Sequence, residues 1–105
     1  MIVTFEKEYL RDLYETGKTV DKQHRYQPGI VRKYKFCVNS LKSASGITAI
    51  KKIKSFNYEE LKGSKHGISS IRVNLQYRIE FTVHDNGVEP IATVCNIIEL
   101  SNHYK

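Results

Sequence analysis

Lys62, Lys65, His66, Arg72 and Arg78 fall within one short stretch of a 105-residue chain. Arginine offers a planar fork of donors to phosphate oxygens and stays charged at any working pH. Histidine transfers protons near neutrality. Nothing in the sequence resembles a phosphate-binding glycine loop, a Ser-His-Asp nucleophile arrangement or a paired-carboxylate site. No zinc-ligand spacing links the cysteines and histidines, so neither metal nor cofactor is expected. Cations, histidines and tyrosines suffice for one reaction in particular. RNA carries its own nucleophile, the ribose 2′-OH. An enzyme must deprotonate it, offset charge building on the phosphorus and protonate the departing 5′ oxygen. Donors aimed at developing charge usually supply the largest part of such catalysis.

The elements that must position these groups are legible around the same stretch. Ile71 and Val73 alternate with Arg72 and Asn74, and Tyr77, Ile79, Phe81 and Val83 alternate with Arg78, Glu80 and Thr82. This period of two predicts two half-buried strands joined at Asn74-Leu75-Gln76 as a hairpin. With the apolar set turned to the core, Arg72 and Arg78 stand on the other face as neighbours. Two readings are open: a pair of solvated arginines, or a phosphate site with Arg78 as first clamp and Arg72 beside it. The basic loop with Gly63 and Gly67 that feeds the hairpin favours the second.

Before this hairpin, Ile2 to Phe5 reads as a short strand. Tyr9, Leu10, Leu13 and Tyr14 recur at helical spacing, and Gly17 suits the residue after the helix end. Pro28 opens a second helix with an apolar stripe of Ile30, Val31, Tyr34, Cys37, Val38 and Leu41. Ile47, Ile50 and Ile53 add one or two further helical turns. After the hairpin, His84-Asp85-Asn86-Gly87 holds a turn signal. A last strand from about Ile91 to Leu100 is apolar on both faces, with Val94, Ile98 and Leu100 on one and Ile91, Cys95 and Ile97 on the other. His24 and His84 read as solvated. The predicted class is α+β, one domain over residues 1–105.

The stretch from Leu61 to Phe81 resembles the RelE/ParE superfamily of bacterial toxins, most closely its HigB branch. The residues that match are Leu61-Lys62-Gly63, Ser70-Ile71-Arg72, Gln76-Tyr77-Arg78-Ile79 and Phe81. The resemblance implies the small RelE-like fold, a mainly antiparallel sheet with N-terminal helices on one face and the open face as working surface. It implies metal-independent, ribosome-dependent cleavage of mRNA in the ribosomal A site. It also implies a HigA-like helix-turn-helix antitoxin, with operator DNA bound only through the toxin–antitoxin complex. Arg72, Arg78 and Lys62 occupy matching positions. HigB-like toxins tend to end in Asp-Tyr-His: His103 fits the histidine and becomes the candidate acid or base. Ser101-Asn102 departs from the pattern, and Tyr104 could replace the missing tyrosine. Lys65 and His66 are read as RNA contacts. Ser69 stands where the family often has an aromatic, which leaves a base-stacking platform in doubt. Two rivals on the same fold are a ParE-like inhibitor of DNA gyrase without catalysis and an RNA- or ribosome-binding module without turnover.

Charge is unevenly placed. Residues 1–16 hold two basic and four acidic side chains (−2), residues 17–78 hold 14 and three (+11), and residues 79–105 hold one and four (−3), which sum to the net +6. A basic middle between acidic ends suits a polyanion or an acidic partner. No apolar run approaches a membrane span, and no signal-peptide pattern opens the sequence, so a cytoplasmic protein is expected. Cys37 and Cys95 lack CxxC spacing and are expected as reduced core residues.

Overall fold

The computed structural model describes residues 1–102. Strand β1 (Ile2–Phe5) leads into helix α1 (Glu8–Glu15), which stops short of Gly17. There the chain takes a left-handed turn (φ 77°) that glycine adopts without strain. A 3-10 turn over Lys22–His24 precedes α2 (Pro28–Ser43), with proline at the helix start as expected, and α3 (Ile47–Lys51) follows. Then come β2 (Glu59–Glu60), a 3-10 turn over Gly63–Lys65, β3 (Ser69–Arg72), β4 (Tyr77–Asp85) and β5 (Thr93–Asn102). The strands form one sheet in the order β1-β5-β4-β3-β2, with β1 parallel to β5 and every other pairing antiparallel. The class is α+β, as expected. Strand β2 was not foreseen: its two glutamates have no apolar partner to mark a period.

The core lies between one sheet face and the helices. Leu10 and Leu13 of α1 and Tyr34, Val38 and Leu41 of α2 meet Ile71, Ile79, Phe81, Cys95, Ile97 and Leu100 of the sheet. The α2 stripe is the predicted one, except that Ile30 stays outside the buried set. Tyr34 is fully buried, and its hydroxyl donates to the Leu10 carbonyl oxygen at 2.7 Å, pinning α2 to α1. Cys37 and Cys95 are buried free thiols, pushed up by desolvation to about 12 and about 11 respectively. No helix among the described residues is long and apolar enough to cross a membrane.

The faces of β5 differ from the sequence expectation. Phe81 pairs with Ile97 but Glu80 pairs with Glu99, so Ile98 is an extra residue on β5. This β-bulge resets the alternation. Cys95, Ile97 and Leu100 all reach the core, while Glu99 and Ser101 join the face of Glu80 and Arg78. A strict period of two had grouped Leu100 with Val94 and Ile98, against Ile97.

Replacing Tyr34 by Phe keeps the ring and removes only the bond to Leu10. We expect a loss of about 1 kcal/mol in urea denaturation, with the m-value unchanged because the exposed surface is the same.

Candidate functional site

The hairpin register puts Arg72 directly opposite Arg78, and across the other side of β4 Arg78 lies opposite Ser101. Directly paired residues project from the same face, so the expected neighbours are neighbours. Their environments are unequal, and of the two readings left open, a pair of solvated arginines does not hold for Arg78. Arg72 is half-buried, whereas Arg78 retains only 5% of its exposure. Arg78 Nε donates to Ser70 Oγ at 2.9 Å, and its Nη2 donates to the carbonyl oxygens of Asn57 (2.6 Å) and Ser70 (3.3 Å). Asn57 sits at φ 43°, a left-handed conformation that asparagine tolerates better than most residues. The buried fork therefore clasps the chain between α3 and β2 to the middle of the sheet.

Lys65 comes to the same face from the loop that Gly63 (φ 67°) and Gly67 (φ 89°) shape. Its Nζ meets both carboxylate oxygens of Glu80, at 3.2 and 2.9 Å. Glu80, its side chain only 10% exposed, lies opposite Glu99 across β4 and β5. Two carboxylates thus face each other after all, each with its own lysine, since Lys7 pairs with Glu99 at 3.1 Å. Burial works to raise the Glu99 carboxyl, but bonds from the Tyr9 hydroxyl and Lys7 outweigh it and hold the group below the usual carboxylate range.

Beyond the end of β1, the edge of β5 is covered by tyrosines. The Leu100 N–H donates to Tyr9 Oη at 3.3 Å, and the Tyr26 hydroxyl donates to the Leu100 carbonyl oxygen at 3.3 Å. Tyr9 also donates to Glu99 Oε1 at 2.7 Å. Desolvation raises both phenols, with the bond to Glu99 adding to the rise at Tyr9, and Tyr26 is pushed up to about 12. Both remain protonated donors at neutral pH. Between this edge and the Lys22–His24 turn lies a cleft of about 500 Å³, whose walls include His24, Tyr26, Lys65, Glu99 and Ser101.

His24 is not the solvated side chain expected of it. Its Nδ1 lies 2.7 Å from Asp21 Oδ2, and its ring stacks on Tyr9 with centroids 3.7 Å apart and planes 13° from parallel. The bond to His24 is the main reason that the Asp21 carboxyl is lowered. The sequence signal was local: Asp21 caps the turn and accepts from the Gln23 N–H, which fixes a histidine three residues on.

The other expected residues are divided. Arg72 lies on the wall of a hollow of about 700 Å³ with Lys33, Phe56 and Leu75. Lys62 and His66, both exposed, line a separate hollow of about 570 Å³ beside α3, with Lys51 and Tyr58. Ser69 turns toward that side and shares a 2.8 Å hydrogen bond with the Tyr58 hydroxyl. Tyr58, with Lys51 Nζ over its ring at 5.3 Å from the centroid, supplies an aromatic where Ser69 does not. His103 and Tyr104 lie outside the described residues.

This is the architecture of the RelE-like toxins, by comparison with solved structures. A YoeB/ParE toxin from Agrobacterium tumefaciens superposes with a TM-score of 0.56 at 20% identity, over 99% of this chain and all of the other. A YoeB–YefM complex from Staphylococcus aureus gives 0.53 at 21% identity, over 99% of this chain and 98% of its counterpart. No curated protein matches the sequence. A family model does: residues 3–92 match the HigB-like toxins, described as RelE-like toxins of type II toxin–antitoxin systems, and the chain belongs to that family.

The depressed Glu99 carboxyl makes an acid-side prediction. A group whose folded value is lowered adds stability above its unfolded value and loses it as pH falls through the folded one. Between about pH 6 and pH 3, which spans the ordinary carboxylate range, the wild-type melting temperature should fall more steeply than that of Glu99→Gln. Parallel profiles would show that the Tyr9 and Lys7 contacts do not hold Glu99.

Proposed function

We propose that this toxin is a ribosome-dependent mRNA endoribonuclease that inhibits translation, cutting through the 2′-OH without a metal. The observation that carries the reading is the opposed Arg72–Arg78 pair, next to Ser101 on the same sheet face. Two guanidiniums side by side on one sheet face bring several charged donors toward a single phosphate. Arg72, the more exposed, takes the phosphate oxygens. Arg78, held by Ser70 and Asn57, supplies fixed positive charge beneath them. Lys65 adds a cation once it is shared between Glu80 and the RNA. Lys62 and His66, beside Tyr58, bind the strand further along, where aromatic stacking is worth about 1–3 kcal/mol per base. His103 and Tyr104 follow Asn102 directly in sequence and serve proton transfer and base contact.

The partners follow from the family. A cytoplasmic toxin of this kind is neutralised by its antitoxin, as the YoeB of Staphylococcus aureus is found with YefM. For this chain the antitoxin is a HigA-like helix-turn-helix protein, and the complex, not the toxin alone, contacts operator DNA.

The test is controlled expression in cells with mapping of mRNA ends. Wild-type protein should cut translated messages, and Arg72→Ala should lower the rate about 10²-fold, the scale of losing one charge-stabilising donor. Arg78→Ala should lower both activity and stability. Its several charge-assisted bonds put the stability loss at about 2–4 kcal/mol, so its activity is read per folded molecule. Growth arrest with intact transcripts would refute the reading. Arrest with a DNA-damage response would point to gyrase, and salt-sensitive RNA binding without cleavage to a binding module.

A further inference from the structure

His24 sits outside the stretch that the sequence singled out, yet three elements hold it on the wall of the cleft that contains Lys65 and Ser101. Asp21 fixes its Nδ1, the Tyr9 ring of α1 supports its flat face, and Tyr9 is itself anchored to Glu99 and to the Leu100 N–H of β5. Among the described residues, Nε2 has no hydrogen-bond partner. An imidazole with one nitrogen held by a carboxylate and the other available is the arrangement that proton transfer requires, because the held nitrogen sets the tautomer and the ring's aim.

The rest of the cleft narrows the choice. Tyr26 is locked as a donor to the Leu100 carbonyl and stays protonated. Lys65 and Arg25 are cations, and Glu99 is an anion held by Tyr9 and Lys7. Of the described residues that line the cleft, His24 is therefore the one histidine, the residue type suited to giving and taking protons. Asp21 bonds the ring directly, and the Glu99 carboxylate lies within electrostatic reach. These two anions compensate the charge of a protonated ring.

We infer that His24, aimed by Asp21, is the general acid of RNA cleavage, giving a proton from Nε2 to the departing 5′ oxygen. The inference rests on the nuclease reading above. In the step, the 2′ oxygen forms its bond to phosphorus as the bond from phosphorus to the 5′ oxygen breaks, leaving a 2′,3′-cyclic phosphate. The 2′-OH proton goes to a separate base, and the His24 proton completes the 5′-hydroxyl product. Lys65 stands on the same cleft wall to meet the phosphate, with Glu80 as its resting counterion.

A general acid is dispensable when the leaving group needs no proton, and a structural residue is not. The test uses ribosomes programmed with a short mRNA whose A-site codon holds either the natural linkage or a single bridging 5′-sulfur. His24→Gln should cut the natural linkage about 10²-fold or more slowly and cut the 5′-sulfur linkage near the wild-type rate. Asp21→Asn, which leaves the imidazole in place, should show the same pattern more weakly, and circular dichroism checks that both variants are folded. In the wild type the alkaline limb of the pH–rate profile on the natural linkage should reflect loss of this proton, so it should move to lower pH in Asp21→Asn and be lost in His24→Gln. Equal slowing on both linkages, or wild-type cutting of both by His24→Gln, overturns the assignment while leaving the nuclease reading intact. Wild-type protein that leaves both linkages whole overturns the two together.

Discussion

The structure depends on one extra residue in its most connected strand. Strand β5 is shared between β1, which runs parallel to it, and β4, which runs antiparallel. Along any strand the side-chain period is two, so a fixed register would send Ile97, Glu99 and Ser101 to the same face. Ile97 must be buried against the helices, and a glutamate two residues on would enter the core with it. Burying a carboxylate there would cost several kcal/mol without a partner. The bulge at Ile98 removes the conflict. Before it, β5 gives Cys95 and Ile97 to the core; after it, Leu100 takes over, and Glu99 turns outward to receive Tyr9 and Lys7. The same shift brings Ser101 beside Arg78, so core and candidate site are both set by it.

Charge in the folded molecule is less lopsided than in the sequence. The acidic ends of the chain fold back on its basic middle: Glu80 takes Lys65, and Asp21 takes His24 within the middle itself. Lys7 and Glu99 pair the two ends with each other. The exposed Lys7–Glu99 pair contributes about 0–1 kcal/mol, too little to explain stability. The stronger effect of these pairs is on position. Long side chains that would otherwise sample many rotamers are held over the sheet, so the cations face a ligand with part of their ordering already done.

What could be read from sequence followed from periodicity. The α2 stripe, the hairpin and the opposition of Arg72 to Arg78 each rest on several residues repeating at 3.6 or 2, and the structure keeps them. What was missed depends on single events with no period. Strand β2 is two glutamates that pair because β3 offers an edge. The Ile98 bulge is one residue among apolar neighbours, and alternation alone cannot locate it. Arg78 looked like a surface cation because it alternates with apolar residues, yet the chain around Asn57 folds over it and supplies a carbonyl oxygen. His24 looked idle because its partners, Tyr9 and the β5 edge, are remote in sequence or hidden by tertiary contact. The motif words from Leu61 to Phe81 identified the family, while the residues that support that stretch came from outside it.

The burial of Arg78 also bears on how such a site would work. A guanidinium cannot shed its proton to escape a low-dielectric setting, so burial demands partners. Ser70 and Asn57 help to meet that demand, taking bonds from Nε and Nη2. These contacts fix the aim of the guanidinium within the sheet. Lys65 shows the contrast, since its exposed ammonium reaches the site on a long stem and rests on Glu80. On the nuclease reading, the two cations divide the work by this difference. Arg78 is already held in place by the fold when charge develops on phosphorus, and Lys65 must first loosen its hold on Glu80. Preorganised charge of the first kind is the more effective, which is a physical reason for the sheet to enclose an arginine at its centre instead of leaving it in solvent.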